Sequence, residues 1–260
     1  MPNTNPNIDQ PSRPRSEDRF DLDQMVEWLR DHGVALDAPV TLRQFRGGAS
    51  NLTFALEGAS QSVVLRRPPP GTKARSAHDM GREVKVLRGL SCHVPVPKVL
   101  AACDDETVFG FPFYVMERLR GIILRQDLPA GLTLTPEAAT RLCSAALNTL
   151  VDLHALDVST TGLDSLGRGA GYCRRQVEGW SKRFEKARTP DAADFTDVMA
   201  WLAARIPEDV RTCIIHNDFR FDNLVLDPDR VDHIIGVLDW EMCTLGDPLM
   251  DLGGSLAYWV

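Results

Sequence analysis

The chain has 260 residues, 43% of them hydrophobic, with 29 basic and 36 acidic side chains and a net charge of -7. That length and apolar content suffice for one large domain or two modest lobes, and the acidic balance weighs against nucleic acid or an anionic membrane as the main partner. Apolar runs stop well short of the roughly 20 residues of a membrane span, and the N-terminus lacks the charged-then-apolar order of a secretory signal, so a cytoplasmic location is expected. Six cysteines (Cys92, Cys103, Cys143, Cys173, Cys213 and Cys243) lie far apart without a C-x-x-C pair. They are expected to be reduced and buried, and they offer zinc no clustered ligands.

In chain order, residues 1–18 are rich in Pro, Asn, Ser and charge, which predicts a disordered leader. Leu22, Met25, Val26 and Leu29 then recur at helical spacing, with Asp21 to cap the helix and Gly33 to stop it. Strand-like runs at 40–46, 52–57 and 62–66, separated by Gly47-Gly48 and Gly58-Ala59-Ser60, predict an antiparallel meander. The loop Pro68-Pro69-Pro70-Gly71 leads into a helix over 76–90, where Met80, Val84 and Leu87 form an apolar stripe with Glu83 beside it. Two more strands are expected at 98–103 and 113–118. After Gly121 the pattern turns helical over 136–156, 172–186 and about 195–205, then returns to short strands at 213–215, 224–226 and 234–238.

The sharpest chemical signal is His216-x-Asp218, followed by Asn223 in the turn between two short strands and by Asp239 at a strand end. An aspartate so placed can accept a hydroxyl proton, while an amide carbonyl and a second carboxylate are hard oxygen donors suited to magnesium. Such a trio fits phosphoryl transfer, which asks a protein for positioning and charge neutralisation more than for covalent help. Two turn-forming aspartates and an asparagine in hairpins are the plain alternative, as a hairpin turn is for Gly47-Gly48. His216 reads as a hydrogen-bonded scaffold and His154 as a satisfied core histidine. Asp247-Pro248 reads as a helix cap, and Trp240 and Trp259 as core. Tyr172, Gln176 and Trp180 share a helix face with Arg183 close by and Arg168 upstream; a packed face accounts for them, with ligand binding by the arginines as the alternative.

The segments Phe45-Arg46-Gly47-Gly48-Ala49-Ser50-Asn51, Val64-Leu65-Arg66-Arg67-Pro68-Pro69, Pro112-Phe113-Tyr114-Val115-Met116-Glu117, Gly171-Tyr172 and Val237-Leu238-Asp239-Trp240-Glu241, together with the Asp218 loop, resemble the aminoglycoside phosphotransferase and choline kinase-like family. The resemblance is nearest to the subgroup joined to acyl-CoA dehydrogenases and its stand-alone bacterial relatives. It implies an α+β, two-lobed protein-kinase-like fold: the leader 1–18, an ATP-binding lobe 19–118 of antiparallel strands plus one helix, and a mainly helical catalytic lobe 119–260. Relatives continue for further helices beyond Leu252, so that lobe is expected to be incomplete.

The resemblance makes Asp218 the catalytic base and Asn223 and Asp239 the magnesium ligands. Gly47, Gly48, Ser50 and Asn51 would cover the phosphates of ATP, with Arg66 as the phosphate-contacting cation, Glu83 as its helix partner and Arg67 as its competitor. Glu117 and Leu119 belong to the 116–119 hinge that reads the base through backbone groups. Asn217 departs from the glycine common in relatives, and asparagine tolerates the same backbone angles. The implied reaction moves the γ-phosphate of ATP to a hydroxyl of a small metabolite, a hydroxy acid or hydroxyacyl-CoA. An aminoglycoside- or choline-type acceptor, a non-catalytic nucleotide-binding module and an aspartate-based phosphohydrolase are the alternatives. No signal for an oligomeric state is present.

Overall fold

A computed structural model describes residues 10–45, 50–71, 79–125 and 127–258. In chain order its elements are α1 (Leu22–Asp31), β1 (Thr41–Gln44), β2 (Leu52–Glu57), β3 (Ser62–Arg67), α2 (Met80–Leu90), β4 (Val99–Cys103), α3 (Glu106–Phe109), β5 (Phe113–Glu117), α4 (Pro136–Ala155), α5 (Tyr172–Ala187), α6 (Thr196–Ala204), β6 (Cys213–Ile215), β7 (Leu224–Leu226), β8 (Ile234–Val237), β9 (Thr244–Gly246) and α7 (Pro248–Ala257). Contacts divide the chain into two compact units, residues 1–149 with 221–241 and residues 150–220 with 242–260. The division after residue 118 is one of role and belongs to the functional proposal below.

The first unit is built on an antiparallel sheet of order β1-β2-β3-β5-β4. Strand alternation gives it two different faces. Phe54, Leu56, Val63, Leu65, Phe113 and Val115 pack with Met25 and Leu29 of α1 into one apolar core. Thr53, Val64, Arg66, Tyr114 and Met116 point to the other face, which lines a pocket. The helices start where short polar side chains satisfy their first N–H groups: Asp21 accepts from Gln24 N at 3.0 Å and Asp79 from Arg82 N at 2.9 Å. The hairpin of β7 and β8 is approached by the segment after β5, where Ile122 bridges Leu226. Gly121 permits that approach, since a Cβ there would lie 2.4 Å from the Leu226 carbonyl oxygen.

Residues 10–18 correct the expected leader. Ser12 and Gln44 exchange two main-chain hydrogen bonds of 2.8 Å, adding a short bridge to the edge of β1. The buried Gln44 side chain accepts from Arg15 N at 2.9 Å and donates to Asp18 Oδ2 at 2.8 Å, and Arg67 Nη2 reaches the Asp18 carbonyl at 2.8 Å. Hydrogen bonding therefore orders a strap with little apolar content. Asp18→Ala would leave the buried Gln44 amide without its acceptor and is expected to cost about 1–3 kcal/mol. Urea unfolding checks this, with Asp18→Asn, which keeps an acceptor, losing less.

In the second unit β6 and β9 pair antiparallel, Ile214 opposite Leu245. Asp247 caps α7 by accepting from Leu249 N at 2.8 Å, with Pro248 in the first turn, as its sequence reading predicts. Phe184 of α5 meets Phe195 edge-on with centroids 5.3 Å apart. Trp180 overturns its expected packing: it is 62% exposed, with the Arg183 guanidinium 4.7 Å above its ring. Only half of the cysteines match the buried expectation. Cys173, Cys213 and Cys243 are buried, whereas Cys92 and Cys143 are exposed and Cys103 is half-buried, and all six are free thiols. Trp259 and residues 76–78 of the expected second helix lie outside the described residues. Among the described residues no helix is long and apolar enough to cross a membrane.

Candidate active site

The pocket of the first unit has a cavity of about 150 Å³ lined by both charged and apolar side chains. Within its lining Arg66 is almost wholly buried. One guanidinium nitrogen lies 3.1 Å from Glu83 Oε1, and the other lies 2.6 Å from Asp239 Oδ1 and 3.6 Å from Glu241 Oε2. Alternation along β3 sends the two arginines to opposite faces, and Glu83 and Tyr114 mark the face of Arg66 as the pocket side. On the other face Arg67 stacks 4.4 Å from the centroid of Phe111 and bonds the Pro68 and Asp18 carbonyls. Of the two, Arg66 lines the pocket.

The charges in this cluster control one another. Burial alone would depress the Arg66 pKa, but Glu83, Tyr114 and Asp239 outweigh it and raise the value. Burial pushes the Glu83 carboxyl upward from its ordinary 4.5, with Arg66 opposing the rise. The Tyr114 hydroxyl is likewise raised, by burial and then by Glu83. Tyr114 is close enough to Glu83 for each to perturb the other, yet neither the Tyr114 hydroxyl nor Glu83 Oε2 completes a hydrogen bond of ordinary geometry. The stabilisation carried by a raised Glu83 pKa is fully present below about 4.5 and is lost as pH rises through the folded-state value. Glu83→Gln should remove that component, and unfolding free energies of both proteins measured against pH would reveal it as a difference in slope.

The strand end that carries Asp239 is fixed from behind. Leu238 N donates to the Asn223 carbonyl at 2.8 Å, joining β8 to the residue that opens β7. Trp240 is 1% exposed, and its indole donates to the Val237 carbonyl at 2.9 Å. Between them Asp239 takes a left-handed φ of 65°, which aspartate and asparagine tolerate better than most residues. Asn223 and Asp239 thus both line the pocket. Glu241 Oε2 also accepts from Asn51 Nδ2 at 2.8 Å, tying the start of β2 to the same cluster.

Of the residues singled out in the sequence, Asn51, Arg66, Glu83, Asn223 and Asp239 converge in this unit. Ser50 is half-buried just before β2, and Gly47 and Gly48 lie outside the described residues. Leu119 lines the pocket. The Glu117 carboxylate accepts from Lys98 N at 2.8 Å and its N–H donates to the Lys98 carbonyl at 2.9 Å, so that side chain closes the β4–β5 edge.

The Asp218 loop belongs to the second unit. His216 is fully buried and its Nδ1 accepts from Asp218 N at 3.2 Å, which makes it the scaffold its sequence context predicts. Asp251 of α7 accepts from His216 N and Asn217 N, both at 2.7 Å, and from His154 Nε2 at 3.0 Å. Asn217 has a left-handed φ of 66°, and its side chain donates to the Met242 carbonyl at 3.0 Å. Asp218 Oδ1 lies 3.3 Å from Arg220 Nε. Sequence reasoning missed Asp251, Arg220, Tyr114 and the part taken by Glu241. Glu241 and Tyr114 left a readable mark, since both stand in segments that carry the family resemblance.

A five-stranded antiparallel sheet with a buried arginine–glutamate pair, and an aspartate loop held by a helix carboxylate, belong to an α+β kinase-like fold. The chain belongs to the phosphotransferase enzyme family (APH), whose sequence model matches residues 41–260. It is 39% identical over 240 residues to human acyl-CoA dehydrogenase family member 11, covering 90% of this chain and 30% of that relative. The chain therefore spans about 30% of the length of the curated relative it matches. A solved structure from Ralstonia eutropha JMP134, described as a candidate aminoglycoside phosphotransferase, is 33% identical with a TM-score of 0.79, over 93% of this chain and 70% of that one. The aminoglycoside phosphotransferase APH(2")-IIa, solved with streptomycin and ATP, shares the fold at 20% identity and a TM-score of 0.59, over 90% of this chain and 74% of that one.

Proposed function

We propose that this chain moves the γ-phosphate of ATP to a hydroxyl of a small metabolite. The observation that carries the reading is the convergence of Arg66, Glu83, Asn223 and Asp239 in the lining of one pocket. In this reading residues 19–118 hold the nucleotide and residues 119–260 supply the chemistry. Arg66, steadied by Glu83, meets the phosphates, and Gly47, Gly48, Ser50 and Asn51 cover them. Backbone groups at Glu117 and Leu119 meet the base. Asp218 takes the proton of the acceptor hydroxyl as the new P–O bond forms and the bond to the ADP oxygen breaks.

Magnesium is tested by the donors present. Asn223 and Asp239 offer hard oxygens, as magnesium requires, and Asp239 binds Arg66 through Oδ1 only. The set fits, and Asn223 with Asp239 would hold the ion, which neutralises phosphate charge when bound. The name of the human relative favours a hydroxy acid or hydroxyacyl-CoA as acceptor over an aminoglycoside- or choline-type alcohol. The site of action is the cytoplasm.

Calorimetric titration with ATP, with and without magnesium, tests the nucleotide half. Binding that strengthens with magnesium and weakens with chelator is expected, and absence of ATP binding would overturn the reading. The Arg66–Asp239 contact favours a second reading, a module that binds nucleotide without turnover. ATP binding with no phosphoryl transfer to any acceptor would select it.

A further inference from the structure

The strap of residues 10–18 reaches the back of the strand that carries Arg66. On the face of the sheet turned away from the pocket, Phe54, Leu56, Val63, Leu65, Phe113 and Val115 form an apolar core. At the end of β3 that pattern gives way to Arg67, a charged side chain in a residue only 4% exposed. An apolar residue would serve packing there, whereas a buried guanidinium costs free energy unless its donors are met. The strap meets one of them, since Arg67 Nη2 donates to the Asp18 carbonyl at 2.8 Å, and Nη1 donates to the Pro68 carbonyl at 3.1 Å. The guanidinium carbon is also held 5.6 Å from the Phe54 centroid and 4.4 Å from that of Phe111.

Asp18 is itself fixed. It is 4% exposed, its carboxylate accepts from the Gln44 side chain at 2.8 Å, and Phe20 nearby meets Phe54 edge-on with centroids 5.4 Å apart. One residue is thus gripped through its side chain and grips Arg67 through its main chain.

The place of that grip matters for the pocket. The register of β3 with β5 ends at Arg66 opposite Tyr114, while the register with β2 runs on to Arg67 opposite Leu52. The last residue of β3 therefore has a strand partner on one side, and thinly bonded element ends are where local opening starts. Its neighbour Arg66 has to place one guanidinium nitrogen 3.1 Å from Glu83 and the other 2.6 Å from Asp239. The two arginines stand back to back across one rigid peptide unit, so a shift of Arg67 is passed on to Arg66.

We propose that the strap, acting through Asp18 and Arg67, positions Arg66 for the phosphates of the nucleotide. Asp18 and Arg67 are positioning residues, and neither lines the pocket. The inference rests on the phosphoryl-transfer reading and deepens it by making phosphate affinity depend on a segment outside the pocket.

The test measures dissociation constants of the full chain for magnesium ATP and for adenosine, which lacks phosphates. Arg67→Met, which keeps an apolar stem against Phe54 and Phe111, is expected to weaken ATP about 10- to 100-fold, the scale of a misplacement of about 1 Å, and to leave adenosine unchanged. The double variant Asp18→Leu/Gln44→Leu removes both partners of the buried side-chain bond, a change that can be nearly neutral for stability. It guards against loss of folding in the single variant and should give the same split. The single variant removes a positive charge and the double variant a negative one, so a field effect alone would move ATP affinity in opposite directions. Unchanged ATP binding, equal weakening of both ligands, or opposite shifts in the two variants would overturn the inference. Failure of the unaltered protein to bind ATP at all would instead strike the phosphoryl-transfer reading itself.

Discussion

Asp218→Ala is expected to lower kcat by about 10²- to 10⁴-fold, the usual contribution of a positioned general base, and to leave the dissociation constant for ATP nearly unchanged. The split follows from where the residue sits. Asp218 projects from a loop fixed by other groups: Asp251 receives the N–H groups of His216 and Asn217, and buried His216 receives that of Asp218 itself. Removing the carboxylate therefore deletes a proton acceptor without dismantling the loop. The groups assigned to phosphate, Arg66, Asn223 and Asp239, belong to the other compact unit. Steady-state turnover alongside equilibrium ATP binding separates the two effects. Equal loss of both would mean that Asp218 holds nucleotide rather than the acceptor proton.

Arg66→Ala should be the most damaging single change to stability, about 3–5 kcal/mol, because removing one partner of a buried ion pair strands the other. Glu83 is 1% exposed, and burial already holds its pKa up while Arg66 opposes the rise. Without the guanidinium the carboxyl must take up a proton or carry an uncompensated charge. Arg66→Lys should lose less but not recover the parent protein, since one ammonium cannot reproduce the fork that meets Glu83 on one side and Asp239 on the other. Replacing the pair together, Arg66→Met with Glu83→Leu, should restore much of the stability and still fail to bind ATP. Urea unfolding and calorimetry on this series distinguish a structural pair from a nucleotide-binding one.

The fold was largely legible because its elements carry the periods that reveal them. The alternation across β2, β3 and β5 and the stripe of Met80, Val84 and Leu87 were open in the sequence. The site was legible in part. The spacing of Asp218, Asn223 and Asp239 could be read as chemistry, but the choice between Arg66 and Arg67 could not. Alternation says that they point apart; only the neighbours Glu83 and Tyr114 say which face is the pocket.

What stayed hidden depends on partners distant in sequence. The strap is ordered by Gln44, which pairs with Ser12 and Asp18 from 32 and 26 residues away. Asp251 works by accepting backbone N–H groups, an act that leaves no trace in the residues it serves. Trp180 shows the converse: helical spacing put it on a shared face but did not say whether anything covers that face. Strand β9, Thr244–Gly246, is as short as β6 and β7 but lacks their continuous apolar run, so it left no strand signal.

ATP-dependent transfer to a hydroxyl is tested by following a labelled γ-phosphate. The chain would be incubated with magnesium ATP and a panel of hydroxy acids, hydroxyacyl-CoA thioesters, aminoglycosides and choline, with Asp218→Ala in parallel. A phosphorylated acceptor, formed in step with ADP, is expected in the unaltered protein and not in the variant. Phosphate released from phosphoesters without ATP, or transfer that persists undiminished in Asp218→Ala, would contradict it.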